Sequence, residues 1–203
     1  MRRAVLLLVG LVLLAASPPA RSQELEVSAL GGYRFGGTLK AVQNNLVTEA
    51  APSFGLTVGY QVRRDMQVEF FYSRQSADLT VKPNESRGTP DIQKLGVEYW
   101  HAGWLYELRP PGGIRPYVVV RLGATRFDPI DIDAGSIWRF SGGFGAGVRV
   151  FFTESIGVRV EAQLLSTAAR RGNYFNYEGD HYVVESTGMH QGSISAGLTM
   201  ALW

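Results

Sequence analysis

The chain has 203 residues, of which 45% are hydrophobic and 11% aromatic, and its 20 Lys and Arg residues against 18 Asp and Glu residues give a net charge of +2. A charge this nearly balanced gives no electrostatic basis for nucleic-acid binding. The chain contains no cysteine, which excludes disulfides, Cys-ligated metal sites and a lipid-modified N-terminal cysteine.

The N-terminal segment has the layout of a secretory signal peptide. Arg2 and Arg3 form a positive region, an apolar run extends to Ala16, and small and polar residues then provide a cleavage region. The apolar run is shorter than the ~20 residues that a membrane-spanning helix needs. We therefore predict a cleaved signal peptide at 1–22 and one mature domain at 23–203, with 17 basic and 18 acidic residues and a net charge of −1.

The mature chain alternates between apolar residues and small or polar residues with a period of two, which is the pattern of β-strands. Each alternating segment is close to the ~9–11 residues that a tilted strand needs to cross a bilayer. No window after the signal peptide is apolar enough for a transmembrane helix. We predict eight strands, at about 24–35, 53–62, 66–73, 92–107, 116–127, 138–152, 156–164 and 193–202.

The fourth of these strands does not show which of its faces is apolar. Bulky residues occupy both parities, and a β-bulge would explain this, so we leave the facing of the strand unassigned. The two competing sets are Leu95, Val97 and Tyr99 against Trp100, Trp104 and Tyr106.

Short and long connections alternate between the strands. Tight turns are predicted at 63–65, 110–113 and 153–155, and longer polar segments at 36–51, 74–90, 128–136 and 167–190. This is typical of outer-membrane barrels, which have short periplasmic turns and longer external loops. The predicted fold is all-β: an eight-stranded antiparallel transmembrane β-barrel with up-and-down topology, located in the bacterial outer membrane.

The aromatic residues fall into two groups when the strands are threaded up and down. One group lies near the long loops and the other near the tight turns, as in the aromatic girdles of membrane barrels. The first group is Tyr33, Phe35, Phe54, Tyr72, Phe127, Trp138 and Phe140, and the second is Tyr60, Trp104, Tyr106, Tyr117, Phe152 and Trp203.

Three segments, at 115–129, 142–147 and 196–200, resemble the outer-membrane β-barrel domain family, the OmpA/OmpX/OmpW-like small barrels of Gram-negative bacteria. The resemblance covers nearly all of the mature chain but rests on pattern, so it specifies fold better than function. It implies a porin-like membrane protein that contacts outer-membrane lipid and lipopolysaccharide and is recognised by the outer-membrane assembly machinery. We expect a monomer that binds no nucleic acid.

Five charged residues fall on the polar faces of the strands: Glu69, Arg121, Arg149, Arg159 and Glu161. An arginine facing lipid at the bilayer midplane costs roughly 2–4 kcal/mol, so these side chains should point into the barrel. They must pair there, because an isolated buried charge is heavily penalised. We predict a structural ionic plug, with a gated pore as the alternative.

The turn near Glu154 should place Arg149 across from Arg159 on the neighbouring strand. Glu161 should then lie diagonal to Arg149, beside space left by Gly145 and Gly147.

The histidines provide no arrangement typical of a barrel enzyme such as lipid A deacylase or palmitoyltransferase. Such chemistry needs a His beside a Ser, with an acid to orient it, at the outer rim. His101 lies mid-strand among aromatics, whereas His181 and His190 belong to the last loop, and His190 precedes Ser193 by three positions. We predict no enzyme, no cofactor and no metal, and keep a lipid A-modifying enzyme as the third alternative.

Two loops are candidate binding segments. The first resembles half a calcium site but lacks the bidentate Glu of an EF-hand, so solvated acids are expected at Asp128, Asp131 and Asp133, before Gly135. The last loop combines cations with aromatics and either contacts lipopolysaccharide phosphates or a host ligand or packs on its neighbours. Its residues are Arg170, Arg171, Tyr174, Phe175 and Tyr177.

Two functions therefore stay open. One is a structural or surface-interaction barrel that acts through its rigidity and its external loops. The other is a narrow channel for small hydrophobic or ionic solutes.

Overall fold

The structure is a computed structural model that describes residues 25–40, 44–83, 92–108, 114–130, 136–168, 172–177, 180–184 and 188–202. The predicted signal peptide and the predicted turn at 110–113 lie outside the described residues. Outside them also lie Trp203, three residues of the acidic loop and the two arginines of the last loop: Asp131, Asp133, Gly135, Arg170 and Arg171.

Twelve strands make up the described structure: β1 (Leu25–Phe35), β2 (Thr38–Lys40), β3 (Asn44–Thr48), β4 (Ala51–Arg63), β5 (Met66–Pro83), β6 (Ile92–Glu107), β7 (Ile114–Pro129), β8 (Ile137–Phe151), β9 (Ile156–Ala168), β10 (Gly172–Tyr177), β11 (Asp180–Val184) and β12 (Gly188–Leu202). Eight of them, β1, β4 to β9 and β12, form a closed antiparallel meander in which β12 pairs with β1. The predicted eight-stranded barrel is confirmed. No helix within the described ranges is long and apolar enough to cross a membrane.

The barrel closes with a stagger of ten residues. A row of directly paired residues that starts at Leu25 returns to β1 at Phe35, ten positions further along. Between them the row passes through Tyr60, Val68, Trp104, Val120, Phe144, Leu164 and Gly192. Such a stagger tilts the strands, typically by about 35–45°, and at eight strands leaves an interior that side chains can fill.

The two ends of the barrel differ in their connections. We call the end with the short connections between β4 and β5 and between β8 and β9 the turn end, and the opposite end the loop end. At the loop end the strands run further than predicted: β5 continues to Pro83 and β7 to Pro129. Parts of the predicted loops also form β2, β3, β10 and β11. Pairing into antiparallel ribbons satisfies backbone hydrogen-bonding groups that an irregular loop would leave to water.

The alternation of faces holds throughout the barrel. Along β9, buried residues alternate without exception with more exposed ones. β6 keeps the same alternation of facing, with Trp100, Trp104 and Tyr106 outwards and 39–57% exposed, although Gly96 and Glu98 on that outward side are buried. The register of β6 with both neighbours is continuous, so no bulge accounts for its bulky residues. A register shift lies in β4, between Gln61 and Arg63.

Bulky residues occupy both faces of β6 because the loop-end half of the interior is an apolar core. We call this core the apolar cover. It consists of Phe71, Leu95, Val97, Tyr99, Phe127, Leu165 and Met189, none more than 4% exposed. Two residues that the sequence placed in the aromatic bands point into the barrel instead. Phe127 is 4% exposed and Tyr117 is 1% exposed.

Candidate functional site in the barrel interior

Four charged side chains meet in the middle of the barrel, and we call them the central network: Glu69, Arg121, Arg159 and Glu161. Arg121 Nε donates to Glu69 Oε1 at 2.7 Å, while its Nη1 and Nη2 donate to the two carboxylate oxygens of Glu161 at 2.6 and 2.9 Å. Arg159 Nη2 donates to Glu69 Oε2 at 3.0 Å and to Glu161 Oε2 at 2.6 Å. No member is more than 1% exposed, so two positive and two negative charges balance one another away from water.

A glycine lets two members of the network meet across an intervening strand. Glu69 on β5 pairs with Gly103 on β6, and Gly103 in turn pairs with Arg121 on β7. A Cβ atom at Gly103 would lie 2.8 Å from Arg121 Cγ and 2.4 Å from the carbonyl oxygen of Val120. The missing side chain is therefore what allows the carboxylate and the guanidinium to make contact.

Tyr117 fills the space that was expected beside Glu161. Its hydroxyl donates to Glu161 Oε2 at 2.8 Å and accepts a hydrogen bond from Arg159 Nε at 2.8 Å. Tyr117 pairs with Gly147, where a Cβ atom would lie 2.5 Å from the Tyr117 hydroxyl oxygen. The gap left by Gly147 is thus occupied by a ring that holds the central network in place.

Arg149 belongs to a second group nearer the turn end. It pairs in register with Arg159, as the sequence predicted, but its guanidinium turns away from Glu161. Arg149 Nη1 instead donates to Glu26 Oε2 and, at 3.0 Å, to Gln67 Oε1. Glu107 adds a carboxylate oxygen 3.7 Å from Arg149 Nη2. We call Glu26, Gln67, Glu107 and Arg149 the turn-end network.

Sequence reasoning missed Glu26 and Glu107 because they lie close to strand ends, where a charge can also reach water. The signal that could have identified them is their position in the alternation, which places both side chains on the inward face of their strands. Both side chains are buried, at 6% and 3% exposure, and Thr199 donates a further hydrogen bond to Glu26 Oε1 at 3.0 Å.

Arg34 is a third buried feature that sequence reasoning missed, and it lies at the loop end. Its side chain is completely buried, and its Nη2 donates a hydrogen bond to Ser73 Oγ at 2.5 Å. The guanidinium lies 4.7 Å from the centre of the Tyr99 ring, and its Nε and Nη1 have no partner among the described residues. Within the described ranges, Arg34 is thus a buried cation without a carboxylate in hydrogen-bonding range.

His101 also points inwards, into the apolar cover. Its Nε2 lies 2.8 Å from Ser141 Oγ, and its Nδ1 has no partner within the described part of the chain. Both residues are 1% exposed. The pair thus has a His beside a Ser, but neither the orienting acid nor the access that catalysis needs.

Of the acidic-loop candidates, the structure describes Asp128. Asp128 forms an ion pair with Arg126 at 3.3 Å. Tyr174, Phe175 and Tyr177 lie in β10, which pairs with β11 in a separate hairpin. The structure does not bring them to the central network.

The architecture matches a known family of membrane proteins. A family model described as the outer membrane protein beta-barrel domain covers residues 6–199. The chain belongs to this family. As an outer membrane protein beta-barrel domain, it is located in the bacterial outer membrane.

Solved structures with the same fold have low sequence identity to this barrel. Neisserial surface protein A shares 16% identity over 87% of this chain and 96% of its own, with a TM-score of 0.58. Outer membrane protein AlkL, solved by solid-state NMR in DMPC lipid bilayers, shares 16% identity over 92% of this chain and 95% of its own, with a TM-score of 0.54. At this sequence identity, the similarity shows a shared fold and says nothing about a shared function. No curated protein sequence matches the chain.

Proposed function

We propose that the protein is a structural or surface-interaction barrel of the outer membrane, with a lumen closed by side chains. The observation that carries the proposal is the burial of eight inward-facing Arg and Glu side chains, none more than 6% exposed. They are Glu26, Arg34, Glu69, Glu107, Arg121, Arg149, Arg159 and Glu161. A water-filled channel would leave at least some of these charges hydrated.

The apolar cover, which lies on the loop-end side of the central network, supports the same proposal. The Arg121 guanidinium lies 4.4 Å from the centre of the Phe71 ring, so the ionic and apolar layers are in direct contact. Ions that entered from the loop end would have to pass this tightly packed layer first and would lose hydration there.

In this proposal the loop end faces the exterior and the short turns face the periplasm, as is usual for outer-membrane barrels. The loops then supply the interaction surface, and the last loop, from Arg170 to Tyr177, would contact lipopolysaccharide or a ligand. The barrel is a monomer inserted by the outer-membrane assembly machinery. We infer no enzymatic activity, because the buried His101–Ser141 pair has no route to a substrate.

Planar-bilayer recording tests the proposal. Purified protein, with insertion checked by protection from protease, should give no current steps. The matched variant is Glu161→Gln, which breaks the central network but preserves side-chain size. Current steps from the wild type that change in amplitude in this variant would contradict the closed lumen, and would make the narrow channel for small hydrophobic or ionic solutes the function.

A further inference from the structure

A groove of about 580 Å³ lies on the outer wall at the loop end, across β8, β9 and β12 and the end of β1. Gly142 and Gly192 form part of its floor, and the side chains of Phe35, Phe144 and Leu164 form its sides. These three side chains are 41–68% exposed and have the outward parity of the membrane-facing surface. The groove therefore opens towards lipid.

The groove is polar at one end only. Gly142, Ser166 and His190 pair in one row across the three strands. The neighbouring row towards the turn end contains Phe144 and Leu164. Along β9 and β12, Ser166 and His190 thus lie nearer the headgroups than Leu164 and Gly192, which matches the polarity of a lipid in that leaflet, while Phe35 keeps the groove apolar at the end of β1.

We propose that this groove binds one acyl chain of lipid A, with the lipid's polar end beside His190 and Ser166. The assignment to lipid A rests on the proposed function, which turns the loop end towards the outer leaflet, where lipopolysaccharide is the main lipid. The volume lies within the range of about 300–1,000 Å³ that is usual for small-molecule sites. An unfilled depression on this wall would lose the dispersion contacts that a chain lying in it gains.

Native mass spectrometry of the refolded protein in detergent, titrated with lipid A, tests this proposal. Ser166→Phe places a ring in the groove and should weaken lipid A binding at least about tenfold. The matched control is Ala162→Phe, which adds the same ring to an exposed, outward position of the same strand outside the groove. It should change the affinity less than about twofold.

A second variant avoids a large side chain. A Cβ atom at Gly192 would lie 2.7 Å from Phe35 Cε2, so Gly192→Ala has to move the Phe35 ring that forms one side of the groove. We expect it to weaken binding in the same direction as Ser166→Phe. Retained heat-modifiability in gel electrophoresis shows that each variant is folded.

Three results would overturn the proposal. The first is equal lipid A binding by the wild type and both groove variants. The second is phosphatidylglycerol binding as tightly as lipid A, which would make the groove a nonspecific lipid contact. The third is a dimer that Ser166→Phe disrupts without changing lipid binding, which would assign the groove to a second copy of the chain. Conductance of the wild type would refute the closed lumen without affecting this test.

Discussion

Arg34 and Arg159 are both completely buried arginines inside one narrow barrel, but their surroundings differ. Arg159 lies between two carboxylates, Glu69 and Glu161, with the Tyr117 hydroxyl at its Nε. Arg34 has the Ser73 hydroxyl and the Tyr99 ring. Because the cost of burying a charge depends on what replaces its hydration, the two residues should contribute to stability with opposite signs.

Replacing each of them with methionine compares their contributions directly. Arg159→Met leaves two carboxylates with Arg121 as their remaining cation, and should lower the free energy of unfolding by about 3–5 kcal/mol. Arg34→Met removes a cation that no carboxylate among the described residues pairs with, so the stability should stay unchanged or rise by about 1–4 kcal/mol. Urea unfolding of the barrel in lipid vesicles measures both. A large loss of stability in Arg34→Met would mean that Arg34 has an anionic partner.

Glu161 is the carboxylate that Arg121, Arg159 and Tyr117 share. We predict that Glu161→Gln destabilises the barrel by about 3–5 kcal/mol, because the two guanidinium groups keep only Glu69. Adding Arg159→Met should recover part of this loss, since one uncompensated cation is removed. The control is Glu154→Gln in the exposed turn, which should stay within about 0.5 kcal/mol of the wild type. Unchanged urea stability in Glu161→Gln would indicate a hydrated lumen.

At the scale of the elements, the alternation along a strand places each residue on the lipid side or the lumen side. The residue's position along the strand sets its depth in the bilayer. Val148 on β8 and Val62 on β4 both face outwards, with 37% and 47% exposure. Val148 lies well inside its strand, whereas Val62 lies next to Arg63 and Arg64 at the turn end. The same substitution should therefore have different costs at the two positions.

Val148→Arg should impair folding into vesicles by about 2–4 kcal/mol, whereas Val62→Arg should cost no more than about 1 kcal/mol, because an arginine near the interface can reach water. Equilibrium refolding of both variants into vesicles of one lipid composition gives the comparison. Equal costs would show that the inferred depth of the two residues is wrong. Gly147 faces the lumen, but Gly147→Ser should also be costly, because Tyr117 already occupies the space above that glycine.

At the scale of the whole molecule, the absence of cysteine makes orientation measurable with single introduced thiols. Glu49 is exposed at the loop end and Glu154 is exposed at the turn end. If the loop end faces the exterior, a membrane-impermeant maleimide should label Glu49→Cys in intact cells and leave Glu154→Cys unlabelled until the cells are broken. The reverse pattern would refute the proposed orientation.

The sequence determined the eight barrel strands and the facing of all of them except β6 and β7, because a period of two assigns each side chain to one face whatever lies beyond it. β9 was predicted with the correct facing for this reason. Predicted turns and loops also fixed the strand order, since short connections force neighbours to be antiparallel. The inward position of the five predicted charges followed from the cost of placing charge in lipid.

The tertiary structure alone decided which inward residues meet. Closure with a stagger of ten residues brings Glu69 of β5 and Glu161 of β9 to the same two arginines, although they lie far apart in the sequence. It also sends Arg149 to Glu26. Alternation along one strand contains no information about this stagger, because the stagger is a property of all eight strand registers together.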